Sequence, residues 1–226
     1  MSDSREFADW YKKLADTLAV SKHYNLPVYF LLAGYPEKFN ALVIHEESFG
    51  SIFYTDYIDR LDDDEVGNFF KDTFKQSGID VCDDALDIMA KFSSGLPLMM
   101  QFIGDSVFWA CKTDKVVKDD AINGVINAAY EIASKQINPA LSQIRSENYE
   151  NILQFLADNH MQTFKRSEIR NGMKISEGVL SKFLSRMVEL GILESVGLKN
   201  SGQYEFSNML YYTYFLIKSF ERQHSD

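Results

Sequence analysis

Apolar residues recur at helical spacing along most of this chain, and two short stretches break the pattern. Phe7, Trp10, Tyr11, Leu14 and Leu18 share one face, so residues 5–20 predict an amphipathic helix. Leu26-Pro-Val-Tyr-Phe-Leu-Leu-Ala-Gly34 is a continuous apolar run led by proline and closed by glycine. That pattern predicts a strand buried on both faces, as in a parallel sheet. Pro36 to Val43 predicts a short helix, and the weak alternation from Ser51 to Ile58 predicts a second strand. Residues 1–60 therefore form helix, strand, helix, strand, which is too little sheet to be stable alone.

From Asp62 onward the texture is helical. Asp62-Asp-Asp-Glu65 supplies an N-cap and an acidic first turn, followed by an apolar face of Phe69, Phe70 and Phe74. Asp83 and Asp84 are expected to cap a second helix carrying Leu86, Ile88, Met89 and Phe92. Gly95 ends that helix, and Pro97 sits where the first turn of the next one tolerates proline. Met99, Met100, Phe102, Ile103, Phe108 and Trp109 give the third helix its apolar side. A fourth spans 117–136 through Ile122, Val125, Ile126, Ala129 and Ile132.

Residues 148–226 have a different texture. A helix over 148–158 presents Tyr149, Ile152, Leu153 and Leu156. A short basic helix, Lys165-Arg-Ser-Glu-Ile-Arg170, follows, and Gly172 with Lys174-Ile-Ser176 makes a turn. Ser176 then caps a helix with Leu180, Phe183, Leu184, Met187 and Leu190, stopped by Gly191. Ile192–Val196, a polar turn and Gln203–Phe206 make a hairpin pattern. Three helices and a hairpin are the order of a winged-helix unit, a helix-turn-helix variant. A last helix, 208–222, is rich in tyrosine and phenylalanine and is expected to be core or a dimer surface.

Charge supports a boundary near residue 140. Residues 1–140 carry 13 Lys/Arg against 23 Asp/Glu, whereas residues 141–226 carry 10 of each, for a net −10 over the chain. The acidic part is a poor surface for nucleic acid, so any DNA contact is expected in the last third. No apolar run approaches the roughly 18 residues that cross a bilayer, so no membrane partner is expected. Met-Ser-Asp-Ser-Arg-Glu lacks the pattern of a signal peptide. Cys82 and Cys111 read as small core residues of a reducing, cytoplasmic protein. His23, His45, His160 and His224 are scattered without metal spacing, and the aspartates at 62–64 read as a helix start rather than a Mg²⁺ site.

Taken in order, these segments resemble the C-terminal portion, lid plus winged helix, of archaeal-type AAA+/STAND P-loop ATPases, including relatives of archaeal origin-recognition ATPases. Leu26-Pro-Val-Tyr-Phe-Leu-Leu-Ala-Gly-Tyr-Pro-Glu37 resembles the strand after Walker B. Ile58-Asp-Arg-Leu-Asp-Asp-Asp-Glu65 resembles the run into the lid, and Ser94-Gly-Leu-Pro-Leu-Met-Met-Gln101 the sensor 2 corner. Gly191-Ile-Leu and Gly202-Gln-Tyr-Glu-Phe206 resemble the wing. The fold class implied is mainly α: a partial α/β AAA+-like segment over 1–60, a helical lid over 61–140, and a winged-helix domain over 141–226.

The departures concern chemistry. Walker A is absent, the chain contains no Gly-Lys pair, and Walker B is absent. Ala33-Gly34 offers no polar sensor, Gly50-Ser51 stands where relatives carry an arginine acting in trans, Arg60 is the nearest arginine, and position 98 is leucine. Phosphoryl transfer needs a phosphate cradle, a lysine and a Mg²⁺ ligand, so this chain alone is not expected to hydrolyse ATP. ATP or ADP with Mg²⁺ is expected only in a complete protein, whose N-terminal ATPase half or other subunits are then partners.

Two sets of residues carry functional readings. Gly95 and Pro97 are either a helix cap followed by a first-turn proline or, as the resemblance implies, a lid contact to adenine. Ser181, Lys182, Ser185 and Arg186 lie on the polar face of the 176–190 helix, placed for the major groove of double-stranded DNA. Lys165, Arg166, Arg170 and Lys199 would then hold backbone phosphates. The alternative is a STAND-like regulatory or scaffold module whose winged helix contacts protein, which the zero net charge of residues 141–226 favours.

Overall fold

The computed structural model describes residues 4–20, 31–34, 54–142, 146–197 and 202–224, with the single positions or short groups 39, 42–44, 47, 50 and 144. Its contacts divide the chain into two units, 1–58 and 59–226.

In the first unit, helix α1 spans Ser4–Val20. Ala8 and Tyr11 are buried, packed by Phe7, Phe39, Leu42 and Val43. Phe39 and Leu42 to Ile44 are helical, within the short helix expected there. Trp10 is half exposed instead of joining this cluster, and its ring leans on Phe7 at 5.8 Å. Residues 31–34 and 54–58 are irregular and exposed rather than strand. An apolar run becomes a strand only beside a partner strand, and among the described residues none pairs with them. Residues 26–30 and 51–53 of those two expected strands lie outside the described residues.

The second unit begins with α2, Asp63–Gln76. Asp62 caps it by accepting from the Glu65 amide at 2.8 Å, while Glu65 accepts from the Asp62 amide at 3.0 Å. Strand β1, Asp80–Val81, leads into α3, Asp83–Ser93. Here the cap is Cys82, not the aspartates: its carbonyl accepts from the Ala85 and Leu86 amides, each at 3.0 Å. Asp83 and Asp84 sit in the first turn, where their charge complements the helix dipole. Helix α4, Pro97–Ala110, is followed by β2, Lys115–Val116, which pairs in parallel with β1. Helix α5, Lys118–Ile132, continues through a π-helical turn, Ala133–Ile137, into α6, Asn138–Ser142.

Then come α7, Glu147–Asp158, β3, Thr163–Lys165, α8, Arg166–Met173, and α9, Glu177–Glu189. Strands β4, Leu193–Ser195, and β5, Gln203–Phe206, precede α10, Met209–Gln223. The three strands form an antiparallel sheet in the order β3–β5–β4, with Phe164 opposite Tyr204 and Glu194 opposite Glu205.

The seam expected near residue 140 falls inside this second unit, and one continuous apolar core runs across it. Phe70, Met89, Met100, Ile103 and Ile132 are enclosed on one side, and Ile152, Leu156, Phe164 and Phe183 on the other. Each such side chain contributes about 1.5–3 kcal/mol on burial. Helix α10 spans both sides. Tyr211 donates to Gln136 at 2.5 Å, Tyr214 to Asn138 at 3.1 Å, and Tyr130 of α5 donates to Glu221. Its aromatic face is therefore core, although Phe220 is half exposed.

Candidate functional site

The Gly95–Pro97 corner is built by local grammar and then used by two distant segments. At the end of α3, the Ser93 hydroxyl donates to the Ala90 carbonyl at 2.8 Å and accepts from the Gly95 amide at 3.3 Å. Ser94 and Gly95 both take left-handed backbone, at φ 54° and 65°. Pro97 opens α4. The Leu61 amide donates to the Gly95 carbonyl at 3.0 Å, and a Cβ on Gly95 would overlap the Leu61 carbonyl oxygen. From the other side, the Met209 amide, at the start of α10, donates to the Ser94 hydroxyl at 3.1 Å. The corner thus joins the entry of the unit to its last helix.

Pro97 is exposed and lines a groove of about 810 Å³ between α2 and α4. Phe69, Leu98, Phe102 and Phe108 form its apolar walls. Lys135 lies over the Phe102 ring at 5.0 Å and pairs with Glu131 at 2.6 Å. Aromatic rings and one paired lysine are no cradle for phosphates, which need convergent backbone amides or several free cations. Arg60 is engaged within the unit, donating to Glu194 at 2.9 Å and to the Ser207 carbonyl at 3.1 Å.

Seven of the eight residues expected at DNA line two adjoining depressions on α8 and α9. Ser181, Lys182, Ser185 and Arg186 line one of about 540 Å³ with Tyr149 and Glu189. Lys165, Arg166 and Arg170 line another of about 240 Å³ with Ser167, Glu177 and Gly202. An Arg166–Ser181 hydrogen bond connects the two. Lys199 lies outside the described residues. The local causes are legible: Ser176 caps α9 by accepting from the Val179 amide at 3.4 Å, and Glu168 accepts from the Lys165 amide to start α8.

Sequence reasoning missed the anions of this face. Glu177 pairs with Arg166, and its other oxygen lies 4.0 Å from Arg170; Glu189 meets Arg186 at 2.7 Å. Only the i,i+3 spacing of Arg186 and Glu189 signalled a pair in advance. Burial raises the Glu194 carboxyl pKa, Arg60 opposing and Glu205 reinforcing it. Among the described residues no group of three or more His, Cys, Asp or Glu is placed to hold a metal ion. Both cysteines are free and partly buried. No described helix is long and apolar enough to cross a membrane.

No protein-family model matches the chain, and no curated protein matches it. Among solved structures, it is similar to a Walker-type ATPase of Pyrococcus abyssi, with a TM-score of 0.53 and 19% identity. The match covers 69% of this chain and 42% of that one, so this chain spans well under half of that ATPase. At that identity the likeness is one of fold: a mainly α architecture with small sheets, in part AAA-like, shared with a Walker-type ATPase.

Proposed function

We propose that this chain is a non-catalytic arm of an AAA+/STAND-type ATPase, carrying a winged-helix unit whose α9 face meets double-stranded DNA. The order α7–β3–α8–α9–β4–β5, with its three-stranded antiparallel sheet, supports the winged-helix reading. The observation that carries the reading is the single core running from α2 to α10. Two domains joined by a linker would swing about a hinge. Here, displacement of the lid-like helices α2–α5 carries α9 with them, because separating the two would expose buried Ile132, Ile152 and Leu210 to water. A nucleotide-driven movement elsewhere in a complete ATPase would thus become a movement of the α9 face. ATP or ADP and Mg²⁺ would be held by that other part, since this sequence supplies no phosphate cradle.

A second reading, a regulatory or scaffold arm that contacts protein, is favoured by the pairing of Arg166 and Arg186 with glutamates and by the net charge of −10. Anisotropy of a mixed-sequence duplex, titrated with the chain between about 50 and 200 mM salt, separates the two. Binding that weakens steeply with salt and is abolished by Lys182→Glu/Arg186→Glu supports DNA. Absence of binding at the lowest salt would sink that reading in favour of a protein partner.

A further inference from the structure

We infer that Glu177 and Glu189 are built-in anions that mask the α9 face, and that backbone phosphates of DNA engage it by displacing them. The inference deepens the DNA reading above and rests on it. The Arg166 guanidinium meets both the Ser181 hydroxyl and the Glu177 carboxylate, while its Nε is enclosed with no partner. The second oxygen of Glu177 faces Arg170 at 4.0 Å. One carboxylate therefore sits between two arginines, where a phosphate group would sit with its paired oxygens. Arg186 is paired singly by Glu189, three residues on along α9.

Both glutamates are more than half exposed, at 56% and 67%. Exposed ion pairs are weak, so they open readily. A backbone phosphate that replaces them carries the same single charge but belongs to a dense line of phosphates whose condensed counterions are released on binding, an advantage a carboxylate lacks. Lys165 and Lys182 are exposed and hold no ion pair among the described residues, so they are free to make the first contact. The consequence is a face whose arginine charge is largely offset until it meets a dense line of phosphates. That arrangement selects nucleic acid over scattered surface anions and reconciles the recognition-type helix with the acidic chain.

The test uses the full chain and a mixed-sequence duplex, comparing wild type with Glu177→Gln, Glu189→Gln and the control Glu150→Gln, which removes a charge from α7. Unmasking Arg166 and Arg170 should tighten binding about two- to fivefold at roughly 100 mM salt. It should also steepen the salt slope by about 0.9 for each phosphate gained. Adding Arg170→Ala or Arg166→Ala to Glu177→Gln should cancel the gain, and thermal melts keep loss of fold separate from loss of binding. Binding by Glu177→Gln at roughly 100 mM salt, where wild type binds only near about 50 mM, would also support masking. A gain no larger than that of Glu150→Gln, with wild type binding normally, overturns the masking and leaves the DNA reading intact. No binding by any variant overturns both.

Discussion

Replacing Gly95 by alanine tests whether the α3–α4 corner is a joint or merely a turn. Gly95 is buried, at φ 65°. An L-residue in left-handed backbone costs about 1–2 kcal/mol. The added methyl would overlap the Leu61 carbonyl oxygen, with the Leu61 amide nitrogen 3.0 Å away. Relieving that contact moves Leu61 and stretches its hydrogen bond to the Gly95 carbonyl, an overpacking cost of about 1–3 kcal/mol. The expected total is roughly 2–5 kcal/mol, which a domain of ordinary stability survives. Gly78 provides the internal control: its φ is 74°, yet nothing lies within 4 Å of the Cβ position. Gly78→Ala should therefore show only the conformational part, about 1–2 kcal/mol. Urea unfolding followed by circular dichroism gives both values, provided the slopes agree. The two variants should differ by the overpacking cost, roughly 1–3 kcal/mol. If they fall within about 0.5 kcal/mol of each other, the contact between the corner and the entry segment is not there and the joint reading fails.

Three further outcomes follow from other contacts. Gly124→Ala brings a methyl to 2.8 Å from the Val107 Cα where α5 presses on α4. An overpacking cost of about 1–3 kcal/mol should outweigh the helix-propensity gain of up to about 1 kcal/mol, so a stabilised variant in thermal melts would refute the close approach. Tyr130, donating to Glu221, has its phenol pKa pushed up to about 12, by that bond first and burial second. Folding then favours the neutral phenol. Its contribution is present below the ordinary value of 10.0 and lost as pH rises through about 12. A phenolate absorbance titration should lose this late component in Tyr130→Phe and bring it down in Glu221→Gln. Glu194 titrates above its ordinary 4.5 because burial outweighs Arg60, so stability falls as pH rises from there through its folded value. Arg60→Ala should move the Glu194 midpoint further up in an NMR titration; a downward move would show that Arg60 does not hold it down.

Much of the helical framework could be read directly. The Asp62 cap, Gly95 with Pro97, the Ser176 cap and the Gly191 stop depend on residues within four positions of one another, and local sterics and hydrogen bonding suffice to place them. The polar face of α9 was legible for the same reason: a period of 3.6 puts Ser181, Lys182, Ser185 and Arg186 on one surface. Other features required contacts between distant residues. Strand β3 is not legible locally, because Thr163–Lys165 becomes extended only by pairing with Gln203–Glu205. The two-residue strands β1 and β2 exist through each other. Phe69, Phe108 and Trp109 have the pattern of core residues and are 48%, 40% and 75% exposed, since which apolar residues are covered depends on where neighbouring helices lie.

The sequence by itself determined most of the helices of 59–226, the caps at Asp62 and Ser176, the hairpin and the basic residues of α8 and α9, because those rest on short-range periodicity and backbone chemistry. Only the tertiary structure decided that the lid-like helices and the sheet-bearing unit share one core, and that Glu177 and Glu189 sit against the arginines. Burial and charge pairing are properties of distances between residues far apart in the chain, and those distances exist only once it has folded.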